Sequence, residues 1–214
     1  MTDADQFDAI KETLKKVAAV LRRAEVPFLL GGGLATWVRG GPESDHDLDL
    51  FVKPDDAERA LEVLAAEGMR PEKPPENWLY KAWDGDVLID LIFSPSGETI
   101  TDENFQRADQ LEVNAVRMQV ASLEDVIAAK LLALGEHQAD YGPILEMTRS
   151  VREQVDWAEV RDRTAASPFR EGLLHARRGA RDRFGSGDVI ATAVCASIPR
   201  SGDSRRPYLD PWCE

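Results

Sequence analysis

Cysteine and histidine are scarce in this sequence. Only Cys195 and Cys213 occur among 214 residues, and the three histidines are scattered at His46, His137 and His175. This spacing offers no His–Cys cluster for zinc, and two late cysteines do not make a disulfide framework. We therefore expect a reduced, cytoplasmic protein whose chemistry uses neither a cysteine nor a histidine nucleophile.

Long apolar runs and a surplus of basic residues are also missing. The longest apolar run, Val189–Ile198, contains Thr and Ser and is too short to span a bilayer. The N-terminus begins with acidic residues and has no apolar stretch, so we expect no signal peptide and no membrane contact. The formal net charge of −13 argues against generic nucleic-acid binding through a basic face.

Hydrophobic periodicity predicts alternating helices and strands. The predicted helices cover 5–24, 34–39, 54–67 and 122–134, with one or two more within 156–183. The predicted strands cover 28–30, 47–52, 78–83, 86–93, 111–113 and 116–120. The dipeptide Asp84-Gly85 is typical of a two-residue hairpin turn.

The most informative stretch is Gly31–Val52, where three glycines and a short helical segment precede an acidic strand. Asp45, Asp47 and Asp49 alternate with other residues, so the three carboxylates share one face of the strand. Adjacent carboxylates on a half-buried strand repel each other unless a cation compensates them, and Mg2+ prefers such oxygen ligands. The structural alternative is a solvated acidic strand.

The glycines before this strand favour the functional interpretation. Glycine tolerates positive φ and lets the backbone approach a ligand closely. Backbone amides at the start of the following helix can bind phosphate oxygens. Gly32 and Gly33 are therefore candidates for a phosphate-binding turn beside a metal-binding strand.

Two later side chains are charged where their surroundings are apolar. Asp90 lies within Val87–Phe93, a run hydrophobic enough for a central strand, where an unpaired carboxylate costs on the order of several kcal/mol. Either a basic partner or a third metal carboxylate explains it, and we favour the second. Lys130 lies on the buried stripe of its helix, where it either snorkels past the core edge or reaches phosphates or the acidic cluster.

A family resemblance rests on these residues. The order Gly32-Gly33-Leu34-Ala35, Gly40 and Ser44-Asp45-His46-Asp47-Leu48-Asp49-Leu50 resembles the signature of the nucleotidyltransferase superfamily related to DNA polymerase beta. It is most similar to the small bacterial branch that contains AbiEii-type toxins and antibiotic nucleotidyltransferases. The Lys130 helix followed by Asp140 resembles the later lysine and aspartate motifs of the AbiEii-type proteins.

The resemblance implies an α+β fold in which helices flank a nucleotidyltransferase-type mixed β-sheet. The nucleotidyltransferase domain would cover 1–150, a helical extension 151–184 and a loosely ordered tail 185–214. The implied reaction is transfer of a nucleoside monophosphate from a nucleoside triphosphate to an acceptor hydroxyl, with two Mg2+ ions. The implied catalytic residues are Asp47, Asp49, Asp90 and Lys130, the metal ligands are Asp47, Asp49 and Asp90, and the nucleotide-binding residues are Gly32, Gly33, Ser44, Lys130 and Asp140.

The acceptor and the partners stay open at the level of sequence. A tRNA acceptor fits the arginine-rich stretch 170–183, although a solvated helix face explains that stretch too. An antibiotic-like, cationic small molecule fits the overall acidity. The alternatives are a non-catalytic nucleotide-binding protein or toxin–antitoxin partner of the same fold, and a metal-dependent phosphohydrolase. No pattern in the sequence indicates an oligomeric state.

Overall fold

In the part of the chain that the structure describes, seven strands form one sheet. The structure is a computed structural model that describes residues 3–43, 47–95, 98–134, 140–165 and 167. The strands are β1 Leu29–Leu30, β2 Asp47–Phe51, β3 Arg70–Glu72, β4 Leu79–Asp84, β5 Val87–Ile92, β6 Asp109–Val113 and β7 Val116–Val120. The helices are α1 Asp3–Arg23, α2 Gly32–Trp37, α3 Pro54–Ala66, α4 Asp102–Arg107, α5 Leu123–Leu132, α6 Gly142–Val151 and α7 Trp157–Arg163.

The sheet is mixed, with the strand order β3-β4-β5-β2-β1-β7-β6. β2 runs parallel to β5, and β1 runs parallel to β7. The remaining neighbours are antiparallel, and they include the hairpins β4–β5 and β6–β7. The expected α+β fold with a mixed sheet between helices is therefore confirmed.

The two faces of β2 and β5 have opposite chemistry. Leu48 and Leu50 on β2, and Ile89 and Leu91 on β5, are fully buried. Helix α1 contacts both strands, and α3 contacts β5. The alternating residues Asp47, Asp49 and Asp90 lie on the reverse face, where α2 contacts both β2 and α5. Because strand side chains alternate between faces, burial of the leucines fixes where the carboxylates point.

Most predicted elements are present, but three details of the prediction are wrong. The second helix begins at Gly32 instead of Leu34, so the glycines form its first turn, with Gly32 at φ +55°. The β4–β5 turn consists of Gly85 and Asp86, one residue later than predicted, because Gly85 adopts the positive φ of +62°. Residues Arg70–Glu72, for which no strand was predicted, form edge strand β3.

Helix α4 was not predicted, because it is only one and a half turns long and has little apolar periodicity. Its start is nevertheless marked in the sequence. The side chain of Thr101 accepts a hydrogen bond from the Glu103 amide, and the side chain of Asn104 accepts one from the Thr101 amide. This reciprocal capping satisfies amide donors that the helix itself leaves without partners.

A buried carboxylate joins three of the helices. Asp125 on α5 is 2% exposed, and its Oδ1 lies 2.9 Å from Arg107 Nη2 of α4 and 2.6 Å from Arg163 Nη1 of α7. The side-chain amide of Asn104 donates to the same oxygen over 3.2 Å. Residues 157–163 are thereby held against α5, within a compact unit that covers 1–170. The proposed boundaries at 150 and 184 stay predictions, and the expected tail lies outside the described residues.

We expect Asp125→Ala to lower the free energy of unfolding by about 3–5 kcal/mol, because it leaves two partly buried guanidinium groups without their shared counter-ion. Urea unfolding followed by circular dichroism measures this loss. Glu153→Ala is the control, since Glu153 pairs with Arg152 and both side chains are largely exposed, and it should cost about 0–1 kcal/mol. Equal losses in the two variants would contradict the structural role of Asp125.

Among the helices that the structure describes, none has the length and hydropathy of a transmembrane span.

Candidate active site

Three carboxylates that are separated in sequence meet on one face of the sheet. Asp49 on β2 and Asp90 on β5 are directly paired in the parallel register, and Asp47 precedes Asp49 by two residues on the same face. Ligand oxygens of Asp47, Asp49 and Asp90 lie within 4.8 Å of one another. The sequence predicts this convergence from Asp-x-Asp and a later isolated acid, and the parallel register of β2 and β5 produces it.

Gly32 fits directly against this acidic cluster. The Gly31 amide donates a hydrogen bond to the Asp49 carbonyl over 2.9 Å, which fixes the start of α2 beside β2. A Cβ added at Gly32 would lie 1.6 Å from Asp49 Oδ2 and 2.5 Å from its Cγ. The glycine is therefore required by two features of this structure, its positive φ and the space that the Asp49 carboxylate occupies.

The cluster has the properties of a divalent-cation site. Asp49 is 8% exposed, and its pKa is raised to about 7 by burial first and by the charge of Asp47 second. Burial also raises the pKa of Asp90. Carboxylates are the hard oxygen ligands that Mg2+ prefers, and a cation at this position would offset the repulsion among three acids. The residues present thus fit a magnesium site.

Two lysines partly compensate the acids. Lys81 on β4 is directly opposite Asp90 in the antiparallel register, and its Nζ lies 3.2 Å from Asp90 Oδ1. Lys130 on α5 is close enough for its charge to lower the pKa of Asp49, as does Lys81. The sequence offered two explanations for a charged residue at position 90, a basic partner and a place among metal-binding carboxylates. In the structure Asp90 has a basic partner, Lys81, and also lies beside Asp47 and Asp49.

A cavity of about 490 Å³ opens over the cluster. Its wall includes the three aspartates and Gly32 on one side, and residues of α5 on the other. The lining residues are Gly32, Asp47, Asp49, Phe51, Trp78, Asp90, Ile92, Pro95, Val126, Ala129, Lys130, Leu132 and Ala133. A cavity of this size is in the range that holds one small-molecule ligand.

The other predicted site residues have different positions. Gly33 lies in the first turn of α2 and is half-buried, and its carbonyl accepts from the Thr36 hydroxyl. Asp140 lies just before α6, where its carboxylate accepts a hydrogen bond from the Gly142 amide over 2.8 Å, and it is not part of the cavity wall. Ser44 lies outside the described residues. The nucleotide-binding roles of these three residues stay predictions.

Sequence reasoning missed two residues of the site. Lys81 was not assigned because the predicted turn at Asp84-Gly85 would place Leu79, instead of Lys81, opposite Asp90. Trp78 was not assigned because a single aromatic residue before a strand carries no pattern. A turn that begins at Gly85 predicts a register in which Lys81 lies opposite Asp90.

Divalent ions should stabilise the protein more at pH 8 than at pH 5. The pKa of Asp49 rises from 3.8 to about 7 on folding, so the folded protein binds more protons between those values and loses stability as the pH rises through them. Metal binding requires the carboxylates deprotonated. In thermal unfolding with and without millimolar MgCl2 or MnCl2, we expect the metal-induced increase in Tm to grow from pH 5 to pH 8.

Asp49→Asn is the test variant for this effect, because the amide neither titrates nor carries the charge. It should unfold with a weaker pH dependence and with little metal-induced change. An increase in Tm of equal size at pH 5 and pH 8 in the wild-type protein would speak against these carboxylates as the ligands.

Comparison with known proteins identifies the class. ANT(2")-Ia, in a crystal structure with adenylyl-2"-tobramycin, superposes with a TM-score of 0.55 at 19% identity, covering 75% of this chain and 97% of its own. The solution structure of ANT(2")-Ia superposes with a TM-score of 0.56 at 18% identity, covering 85% of this chain and 100% of its own. An antigenic nucleotidyltransferase-like protein from Paracoccidioides brasiliensis superposes with a TM-score of 0.52 at 14% identity, covering 91% of this chain and 94% of its own. No curated protein matches the chain in sequence.

The fold and the acidic cluster on paired parallel strands define a nucleotidyltransferase-type protein. The chain belongs to the family described as uncharacterised nucleotidyltransferases, whose sequence profile matches residues 6–185. The superfamily expected from the glycine turn and Asp-x-Asp is thereby confirmed, and the protein is a nucleotidyltransferase.

Proposed function

We propose that the protein transfers a nucleoside monophosphate from a nucleoside triphosphate to an acceptor hydroxyl, with Mg2+ as the cofactor. The observation that carries this proposal is the convergence of Asp47, Asp49 and Asp90 within 4.8 Å at the wall of a cavity. In the reaction the acceptor oxygen forms a bond to the α-phosphorus, the bond from that phosphorus to the bridging oxygen breaks, and pyrophosphate leaves.

Asp47, Asp49 and Asp90 would hold the two Mg2+ ions of this reaction. When bound, such ions stabilise the negative charge that develops on the phosphate, attacking and leaving oxygens. Asp90 also accepts the proton of the attacking hydroxyl, a role that suits a carboxyl whose pKa is raised by burial. No histidine or cysteine is required for this chemistry.

The phosphates are bound between the two walls of the cavity. Lys130 extends from α5 toward Asp49 and neutralises phosphate charge. The amides of Gly32 and Gly33, together with Ser44, bind the β- and γ-phosphates, and Asp140 contributes to nucleotide binding from the start of α6. The triphosphate and Mg2+ are both abundant in the cytoplasm, where we place the reaction.

The acceptor that we favour is a small molecule with amino groups. The cavity wall holds three acids and one lysine, and the chain carries a net charge of −13. Cations are attracted to such a surface, whereas an RNA backbone is repelled. The structural relative ANT(2")-Ia was solved with an adenylylated tobramycin, which is a product of this chemical kind.

Label transfer from α-labelled triphosphates tests the proposal. Each of the four triphosphates is incubated with the protein and MgCl2, and with an aminoglycoside and lincosamide panel or with total tRNA. We expect Mg2+-dependent labelling of a small-molecule acceptor. Labelled tRNA would assign the protein to the toxin-like function, and free monophosphate without labelled acceptor would indicate a phosphohydrolase. Binding of triphosphate without turnover would support the non-catalytic alternative.

A further inference from the structure

The cavity over the acidic cluster has a charged end and an apolar end. Phe51 and Ile92 follow Asp49 and Asp90 by two residues on the same face of β2 and β5, and they are paired with each other in register. Two residues along a strand correspond to about 7 Å. The charged floor of the cavity therefore continues directly into an apolar floor, and Trp78 and Pro95 complete the wall at that end.

Trp78 differs from the other tryptophans that the structure describes. Trp37 packs edge-on against Phe7, with 5.1 Å between the ring centroids. The indole N–H of Trp83 donates a hydrogen bond to Glu72 over 3.1 Å, and that of Trp157 donates one to the Arg152 carbonyl over 2.9 Å. Within the described ranges Trp78 has neither a side-chain hydrogen bond nor a ring contact. It is 39% exposed, more than any other large apolar side chain there.

The position of Trp78 is nevertheless fixed by its backbone. Its carbonyl accepts hydrogen bonds from the amides of Phe93, over 3.0 Å, and Ser94, over 3.1 Å, where β4 begins beside the end of β5. An exposed aromatic ring at a cavity wall, carried by a backbone that is held in place, offers its π face to a ligand that enters. Aromatic faces of this kind bind the flat rings of nucleic-acid bases.

We propose that Trp78 is the stacking platform for the base of the bound nucleoside triphosphate. The inference rests on the proposed function, because the polyphosphate must lie at the acidic end to bring the base to the apolar end. The ribose then lies over Phe51 and Ile92, and the base lies on the indole. One nucleotide suits a cavity of about 490 Å³. Stacking grows with ring area, so purine triphosphates bind more tightly than pyrimidine triphosphates.

Binding measurements without an acceptor test this assignment. ATP, GTP, CTP, UTP and inorganic tripolyphosphate are titrated by calorimetry into the protein with MgCl2. In Trp78→Ala we expect the Kd of the purine triphosphates to rise about 5- to 150-fold and the purine preference to shrink, because the stacking surface is lost. The Kd of tripolyphosphate should not change, because it has no base. Trp78→Phe should keep most of the affinity.

Trp83→Phe is the control for Trp78→Phe, since Trp83 lies on β4, the strand that follows Trp78, but outside the cavity wall, and the nucleotide affinity of this variant should equal that of the wild type. Unchanged triphosphate affinity in Trp78→Ala would overturn the proposal, and so would an equal loss of tripolyphosphate affinity. Wild-type protein that binds neither triphosphate nor tripolyphosphate with Mg2+ would instead refute the proposed function on which it rests.

Discussion

Asp49→Asn should reduce nucleotidyl transfer by at least about 1,000-fold while stabilising the metal-free protein. A bound metal ion supplies several kcal/mol of transition-state stabilisation, and each 1.4 kcal/mol corresponds to a factor of ten in rate. The amide has the shape of the carboxylate but not its charge, so the metal loses a buried, charged ligand. In the same variant the repulsion between Asp47 and Asp49 disappears, together with the cost of burying that charge.

These opposite effects separate loss of the site from loss of the fold. The transfer rate is measured with labelled triphosphate and the acceptor identified by the panel, and stability is measured by thermal unfolding in EDTA at pH 8. Asp86→Asn is the control, because Asp86 is exposed at the turn of the same hairpin as Asp90 and should transfer label like the wild type. An Asp49→Asn variant that keeps more than a tenth of the wild-type rate would contradict the assigned site.

Gly32→Ala should reduce transfer by about 100-fold or more, even though it adds only one methyl group. The new Cβ would lie 1.6 Å from Asp49 Oδ2, so either the carboxylate or the start of α2 must move. A displacement of about 1 Å within a catalytic site is enough for a loss of this size. The residue would also be held at φ +55°, which costs an L-amino acid about 1–2 kcal/mol.

Gly85→Ala separates the backbone cost from the collision. Gly85 has nearly the same backbone angle, φ +62°, but no atom lies within 4 Å of the position that its Cβ would take. We expect it to lose about 1–2 kcal/mol of stability and none of its transfer activity. If Gly32→Ala transferred label as well as Gly85→Ala does, the packing of Gly32 against Asp49 would not matter for the reaction.

Buried Asp90 shows how far sequence reasoning extends into the site. Its apolar neighbours place it on a central strand, and the cost of an isolated buried charge predicts a compensating group. Which group compensates it depends on the register of two separate pairings. A turn at Gly85-Asp86 places Lys81 opposite Asp90 on one side, and the parallel alignment with β2 places Asp49 on the other. If the hairpin turn began one residue earlier, Leu79 instead of Lys81 would lie opposite Asp90.

The glycines show a second feature that the sequence does not specify, the neighbour that requires a glycine. Their number and position predict a close approach of the backbone to something, and the phosphate of a ligand is the partner that sequence suggests. The structure shows a nearer reason for Gly32, the Asp49 carboxylate itself, because the Gly31 amide pairs with the Asp49 carbonyl. A residue's need for space is a property of its neighbours in three dimensions, and sequence does not specify which neighbour fills it.

The sequence by itself determined the sheet-and-helix pattern, the face on which Asp47 and Asp49 lie and the superfamily, because alternation and glycine chemistry are local properties of the chain. The tertiary structure decided that Asp90 joins them, that Lys81 faces Asp90 and that Trp78 stands in the cavity wall. These contacts join residues that are distant in the chain, and they depend on strand order and register, which follow from packing of the whole sheet.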